Sequence, residues 1–91
     1  FAAARDPRVP ALWRQYRRAA AFADAELGKV DAALGAAGLR DDTLLVVFSD
    51  HGYEFDDYAN GYVGHASDFS DAQLRATLVL RWPGRASRRY T

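Results

Sequence analysis

The 91-residue chain has no cysteine, which excludes disulfides and thiolate metal sites. It has a single lysine, Lys29, against eleven arginines. No apolar run approaches the roughly 20 residues that span a bilayer, and no secretory leader pattern is visible. The first residue is Phe1 and not methionine, and the expectation is a piece of a longer protein. From Asp41 to Asp71 there is no lysine or arginine at all, but there are eight carboxylates, Asp41, Asp42, Asp50, Glu54, Asp56, Asp57, Asp68 and Asp71. The formal net charge of zero therefore hides a segregation: +4 over residues 1–18, −1 over 19–40, −8 over 41–71 and +5 over 72–91. Clustered carboxylates repel one another unless water or a cation neutralises them. A solvated acidic loop and a metal-binding loop both fit that charge. Nucleic acid does not fit as a partner, because the acidic segment would repel its phosphates.

What the chain does contain is concentrated in residues 43–65, TLLVVFSDHGYEFDDYANGYVGH. Leu44 to Phe48 is an apolar run of the length and composition of a buried strand. It ends at Ser49, Asp50, His51 and Gly52, so an acid and an imidazole stand together at the carboxyl end of a strand. Open α/β sheets place their ligand sites there. The second histidine, His65, follows 14 residues later behind Gly64. Carboxylate oxygen and imidazole nitrogen are ordinary ligands for zinc or manganese. Gly52 supplies backbone freedom to aim Asp50 and His51 at one ion, and Gly64 does the same for His65. The same Asp–His pair also serves as a hydrogen-bonded couple, with the acid orienting the ring.

Around this segment the pattern is α/β. Pro7 and Pro10 break residues 1–9, and Pro10 suits the first turn of a helix. Leu12, Tyr16, Ala19 or Ala20, Ala23, Leu27, Val30 and Leu34 form one apolar stripe at helical spacing, running to about Gly35. Gly38 is placed as the residue just past the helix end. A short turn leads to the strand at 43–49. A loop of about 20 residues follows, with three glycines and five aromatics. Its length marks it as functional, and its aromatic content argues against disorder. Ser70 to Leu74 fits one helical turn capped by Ser70, and residues 76–82 read as a second strand that Pro83-Gly84 ends. The basic tail from Arg85 is expected to fray.

Other motifs fail. Asp56-x-Tyr58-x-Asn60-Gly61 opens like a calcium loop, but Tyr58 takes the third position and Ser67 the twelfth, where a bidentate glutamate is needed. No glycine loop for phosphates opens a helix. Ser49 and Ser67 lie near histidines without a nucleophile elbow around them.

The order Phe48-Ser49-Asp50-His51-Gly52, Gly64-His65, Leu74 to Leu80 and Trp82-Pro83-Gly84 resembles the C-terminal half of sulfatase-like domains of the alkaline phosphatase superfamily. Tyr16, Val30-Asp31, Leu34-Gly35, Gly38-Leu39 and Asp42-Thr43 resemble the helix that precedes that motif. The match covers about residues 12–84. Glu54 to Asp57 with Gly61-Tyr62 and Ser67-Asp68-Phe69 is most similar to bacterial inner-membrane proteins carrying a periplasmic sulfatase-like domain after N-terminal membrane helices.

The resemblance implies a fragment, residues 1–91, of a three-layer α/β sandwich: a long helix, then two buried strands (43–49 and 76–82) joined by an active-site loop. It implies Asp50 and His51 as metal ligands and His65 as a second-metal or substrate contact. His51 stands where calcium-type sulfatases have asparagine, which favours zinc or manganese over calcium. The nucleophile would lie upstream, so the piece alone is expected to be inactive. The implied activity is hydrolysis or transfer of phosphate or sulfate esters, with a lipid-linked ester among the candidate substrates. The implied location is the inner membrane with this domain periplasmic, attached through preceding segments and packed on the rest of its own domain. The alternative is a non-catalytic ectodomain that binds envelope lipid or a protein partner. Tyr53, Ala66 and Ala76-Thr77 depart from the common pattern (an acid, a glycine and Val-Pro), and none of these removes a ligand.

Overall fold

A computed structural model describes residues 6–66 and 68–88. Helix α1 spans Val9–Ala36, with Pro10 in its first turn as its missing N–H requires. It ends where Gly38 adopts φ +69°. There the Leu39 N–H donates to the Leu34 carbonyl (2.9 Å) and the Gly38 N–H to that of Gly35 (3.0 Å), the paired bonds of a Schellman cap. A 3-10 turn, Arg40–Asp42, leads into strand β1, Leu45–Phe48.

The loop expected between the two strands has structure of its own. Strands β2, Glu54–Phe55, and β3, Val63–Gly64, form a small antiparallel hairpin with Glu54 opposite Gly64 and Phe55 opposite Val63. Helix α2, Asp71–Leu74, follows with Ser70 at its N-cap. The Ser70 side chain does not cap the turn as expected; its hydroxyl donates instead to Glu54 Oε2 at 2.8 Å. Strand β4, Leu78–Arg81, pairs antiparallel with β1 from Leu45 opposite Arg81 to Phe48 opposite Leu78. The Ser49 hydroxyl accepts the Thr77 N–H at 2.8 Å and extends that pairing. Trp82 to Arg85 then makes a turn with Gly84 at φ +71° and the Arg85 N–H donating to the Trp82 carbonyl. Ser67 and the end of the tail, residues 89–91, lie outside the described residues.

The strands are where the sequence puts them, one or two residues shorter at each end, but they are not buried. Residues of β1 alternate between half-buried and exposed, and Leu78, Val79 and Leu80 of β4 are exposed. The reason is geometric. A 28-residue helix is about 42 Å long, and the two-stranded ribbon beside it covers only part of one face. The radius of gyration is 16.9 Å, against about 12 Å for a compact chain of this size. The buried apolar residues among those described are Val9 and Phe55. Phe55 anchors an aromatic cluster, edge-on to Trp13 (5.1 Å) and Tyr16 (5.2 Å) of α1 and tilted against Tyr53 (4.7 Å). That cluster fastens the hairpin to the first half of α1. At the other end Asp31 pairs with Arg40 and with Arg81 (3.4 Å), tying α1 to the 3-10 turn and to β4. No helix among the described residues is long and apolar enough to cross a membrane.

Candidate metal and ester site

Asp50 and His51 follow directly on the end of β1. The chain leaves β1 at Ser49, so the next two side chains project beyond the sheet, and both are exposed. The His51 Nδ1 lies 2.7 Å from the Gly52 carbonyl oxygen. A carbonyl only accepts, so Nδ1 carries the proton, and in the neutral ring Nε2 presents its lone pair outward. Nε2 stands 3.6 Å from Asp50 Oδ1. That is too long for a hydrogen bond. It is close to the separation of about 3.4 Å between two ligands held tetrahedrally at about 2.0–2.1 Å from one ion. The Nδ1–carbonyl bond is the outer contact that ordinarily orients a ligating imidazole. Donor chemistry and orientation therefore both fit a divalent metal.

The hairpin brings in the second histidine. Pairing Glu54 with Gly64 aligns the chain before β2 with the chain after β3, and the His65 ring stacks on His51 with centroids 4.4 Å apart and planes 22° off parallel. Tyr53 flanks His65 at 5.9 Å, and the Tyr62 hydroxyl donates to the His65 carbonyl at 3.0 Å. Gly64 has φ +147° and Ala66 has φ +66°. The left-handed backbone at 66 explains why a glycine is common there in the pattern this chain departs from. His51 thus neighbours both Asp50 and His65. Even so, no group of three His, Cys, Asp or Glu side chains among the described residues is arranged to hold a metal ion.

Gly52 has a different role from the one its flexibility suggested. Its N–H donates to the Gln73 carbonyl at 2.7 Å, and a Cβ on it would stand 2.1 Å from the Ala72 carbonyl oxygen. The glycine is there for close approach to α2. Beside His51 lies a cavity of about 360 Å³ lined by the aromatic rings of Trp13, Tyr16, Tyr53 and Phe55 and by the polar side chains of Asp57, Arg75 and Thr77.

The acidic loop is not uniformly solvated. Glu54 and Asp56 have no exposed surface. Glu54 accepts from Asn60 Nδ2 (3.1 Å), Ser70 Oγ (2.8 Å) and Gln73 Nε2 (2.9 Å). Asp56 has φ +57° and accepts the Gly61 N–H at 2.7 Å, while its own N–H donates to the Tyr62 carbonyl at 2.8 Å. Asp57 accepts the Phe55 N–H at 2.8 Å. These carboxylates close the hairpin from inside, which sequence reading missed. The donors at 60, 70 and 73 carry no charge, so nothing in the charge pattern marked them.

Burial pushes the Glu54 carboxyl up, and nearby Asp56 adds to that, but hydrogen bonds from Gln73, Ser70 and Asn60 outweigh both and hold it below its ordinary 4.5. Asp6 is lowered to about 2, chiefly by the hydrogen bonds it accepts from Arg8. A carboxyl depressed in the folded state gives up protons that the unfolded chain still holds. Its stabilisation is present above the unfolded value and lost as pH falls through the folded one. Thermal unfolding of the complete protein should therefore show stability falling on acidification from about pH 4.5 downward. A melting temperature flat through that range would contradict the hairpin chemistry.

The sulfatase family model matches residues 3–91, and the chain belongs to the sulfatase family. The fold agrees with a fragment of an alkaline-phosphatase-like domain, and the family generally uses a divalent metal. Among individual proteins, the chain is 30% identical over 76 residues to the inner membrane protein YejM of Salmonella typhimurium and, equally, to YejM of Salmonella typhi. Each alignment covers 84% of this chain and 12% of the relative. No solved structure gives a significant match.

Proposed function

We propose that the complete protein is a metal-dependent hydrolase or transferase of phosphate or sulfate esters, in which this chain supplies Asp50 and His51 as two metal ligands. His65 contacts the transferred group or a second ion. The observation that carries this reading is the His51 ring: its Nδ1 is committed to the Gly52 carbonyl, and its Nε2 stands at ligand-edge distance from Asp50. Oxygen and nitrogen donors without sulfur suit zinc or manganese, and few oxygen ligands are at hand for calcium. When bound, such an ion would act as a Lewis acid toward a phosphoryl or sulfuryl oxygen. The residues of this chain orient its ligands and, through the cavity beside His51, offer a wall for the organic part of the ester. The nucleophile belongs to another part of the complete protein, and the rest of its domain is the partner of the exposed strands. The relatives' name supports an inner-membrane location, to which we add a periplasmic placement of this domain and a lipid-linked ester as substrate.

The test is metal content. Purified without chelator, the complete protein should carry near-stoichiometric zinc or manganese by elemental analysis, and His51→Ala should lose it. A protein that stays metal-free after incubation with both ions points instead to a non-catalytic ectodomain that binds envelope lipid or a protein partner. Asp50 and His51 would then be a polar pair at a strand end.

A further inference from the structure

The hairpin that brings the two histidines together holds a charged group that the metal reading leaves without a task. Glu54 is fully buried, and its three side-chain hydrogen-bond donors are all neutral. An ionised carboxylate removed from water is costly unless its oxygens are satisfied. Here both are, by donors from three places: Asn60 in the turn of the hairpin, Ser70 at the N-cap of α2, and Gln73 within α2. Glu54 lies three residues beyond His51 and directly opposite Gly64, which precedes His65. Gln73 completes the link. Its side chain donates to Glu54, and its carbonyl accepts the N–H of Gly52, the residue after His51. A single carboxylate thus joins the strand leading from His51, the hairpin turn that precedes the strand leading to His65, and the helix on which Gly52 rests, while the Glu54 main chain pairs with Gly64.

We propose that Glu54 is a positioning residue: its buried carboxylate clamps the hairpin to α2 and so holds His51 and His65 face to face in the orientation their site uses. For its metal arm this rests on the reading of Asp50, His51 and His65 given above. The carboxylate suits the task because it only accepts, so neither oxygen can turn a donor toward Asn60, Ser70 or Gln73. Glutamine at 54 would direct one NH₂ at these donors. Asn60 cannot flip its amide in response without withdrawing the oxygen that accepts the Tyr62 N–H at 2.9 Å.

The experiment uses the complete protein with Glu54→Gln and Glu54→Ala, and with Asp31→Ala as the control that loosens the distant Arg40–Asp31–Arg81 tie. Two quantities are read besides melting temperature. One is the zinc dissociation constant, by chelator competition. The other is the ring-to-ring nuclear Overhauser effect between selectively labelled His51 and His65 in the metal-free protein. Removing an outer partner of a metal ligand typically weakens metal binding 10- to 100-fold. We expect about tenfold weaker zinc binding for Glu54→Gln and about a hundredfold for Glu54→Ala, and in Glu54→Ala the Overhauser effect between the two rings should vanish. Asp31→Ala should lower the melting temperature and leave both other readings unchanged. Unchanged zinc affinity and an unchanged Overhauser effect in both Glu54 variants would overturn the proposal. So would equal effects in Asp31→Ala, since the cause would then be general destabilisation. If the wild-type protein takes up no zinc, the metal reading fails separately. The Overhauser effect alone then decides: its disappearance in Glu54→Ala supports positioning, and its persistence rejects it.

Discussion

His51→Ala and Asp50→Ala, each made in the complete protein, should lower turnover of phosphate and sulfate esters by at least about a hundredfold. Outer-shell contacts alone are worth 10- to 100-fold in affinity or activity, and a direct ligand exceeds that. His51 is the more informative of the two because its ring is already oriented. The Gly52 carbonyl fixes the tautomer, and the His65 ring lies against one face. Alanine removes the Nε2 donor and the stacking surface together, so His65 should lose its orientation as well. Asp50 is exposed and has no hydrogen bond to another side chain among the described residues, so its replacement should leave the melting temperature of the metal-free protein unchanged while removing activity. Steady-state kinetics at saturating zinc or manganese provides the check. Wild-type turnover in either variant would show that the assigned side chain does not serve the reaction.

Gly52→Ala should destabilise the complete protein by about 2–4 kcal/mol, combining overpacking at about 1–3 with a broken buried hydrogen bond at about 1. The added Cβ would meet the Ala72 carbonyl oxygen at 2.1 Å and that of Arg75 at 2.8 Å. Both are main-chain atoms, so no rotamer change relieves the clash. The segment must withdraw from α2 and break the 2.7 Å bond from the Gly52 N–H to the Gln73 carbonyl. His51 moves with it, so metal affinity should fall in the same variant. Gly28→Ala is the control. It lies inside α1 with open space around a new Cβ, and alanine is the better helix former. Urea denaturation of the two variants side by side makes the comparison. Equal midpoints would mean that residue 52 does not rest on α2.

How much of this was legible in advance depends on the range of each signal. Helix α1 could be read from its stripe, and its end from Gly38, because helical periodicity and a left-handed φ are local properties. The apolar run ending at Ser49-Asp50-His51-Gly52 likewise located β1 and the strand end that carries the candidate ligands. Burial of the strands is the expectation that fails, since an apolar run records what a strand can bury against and not what lies beside it here. The sequence suggests Ser70 as a cap because caps are local. Its hydroxyl goes instead to a carboxylate 16 residues away.

The sequence by itself determined the two helices and strands β1 and β4, the family pattern, and the place of Asp50 and His51 at the end of a strand, but not the β2–β3 hairpin. Only the tertiary structure decided that His65 stacks on His51, that Gly52 is needed for closeness and not for an unusual φ, and that Glu54 and Asp56 are buried. The physical reason is the same in each case. A carboxylate becomes a buried clamp only when donors from residues 60, 70 and 73 converge on it, and two imidazoles meet only when a hairpin folds their flanks together. Neither event leaves a mark in composition or spacing, because the partners are neutral, separated along the chain, and brought together by packing.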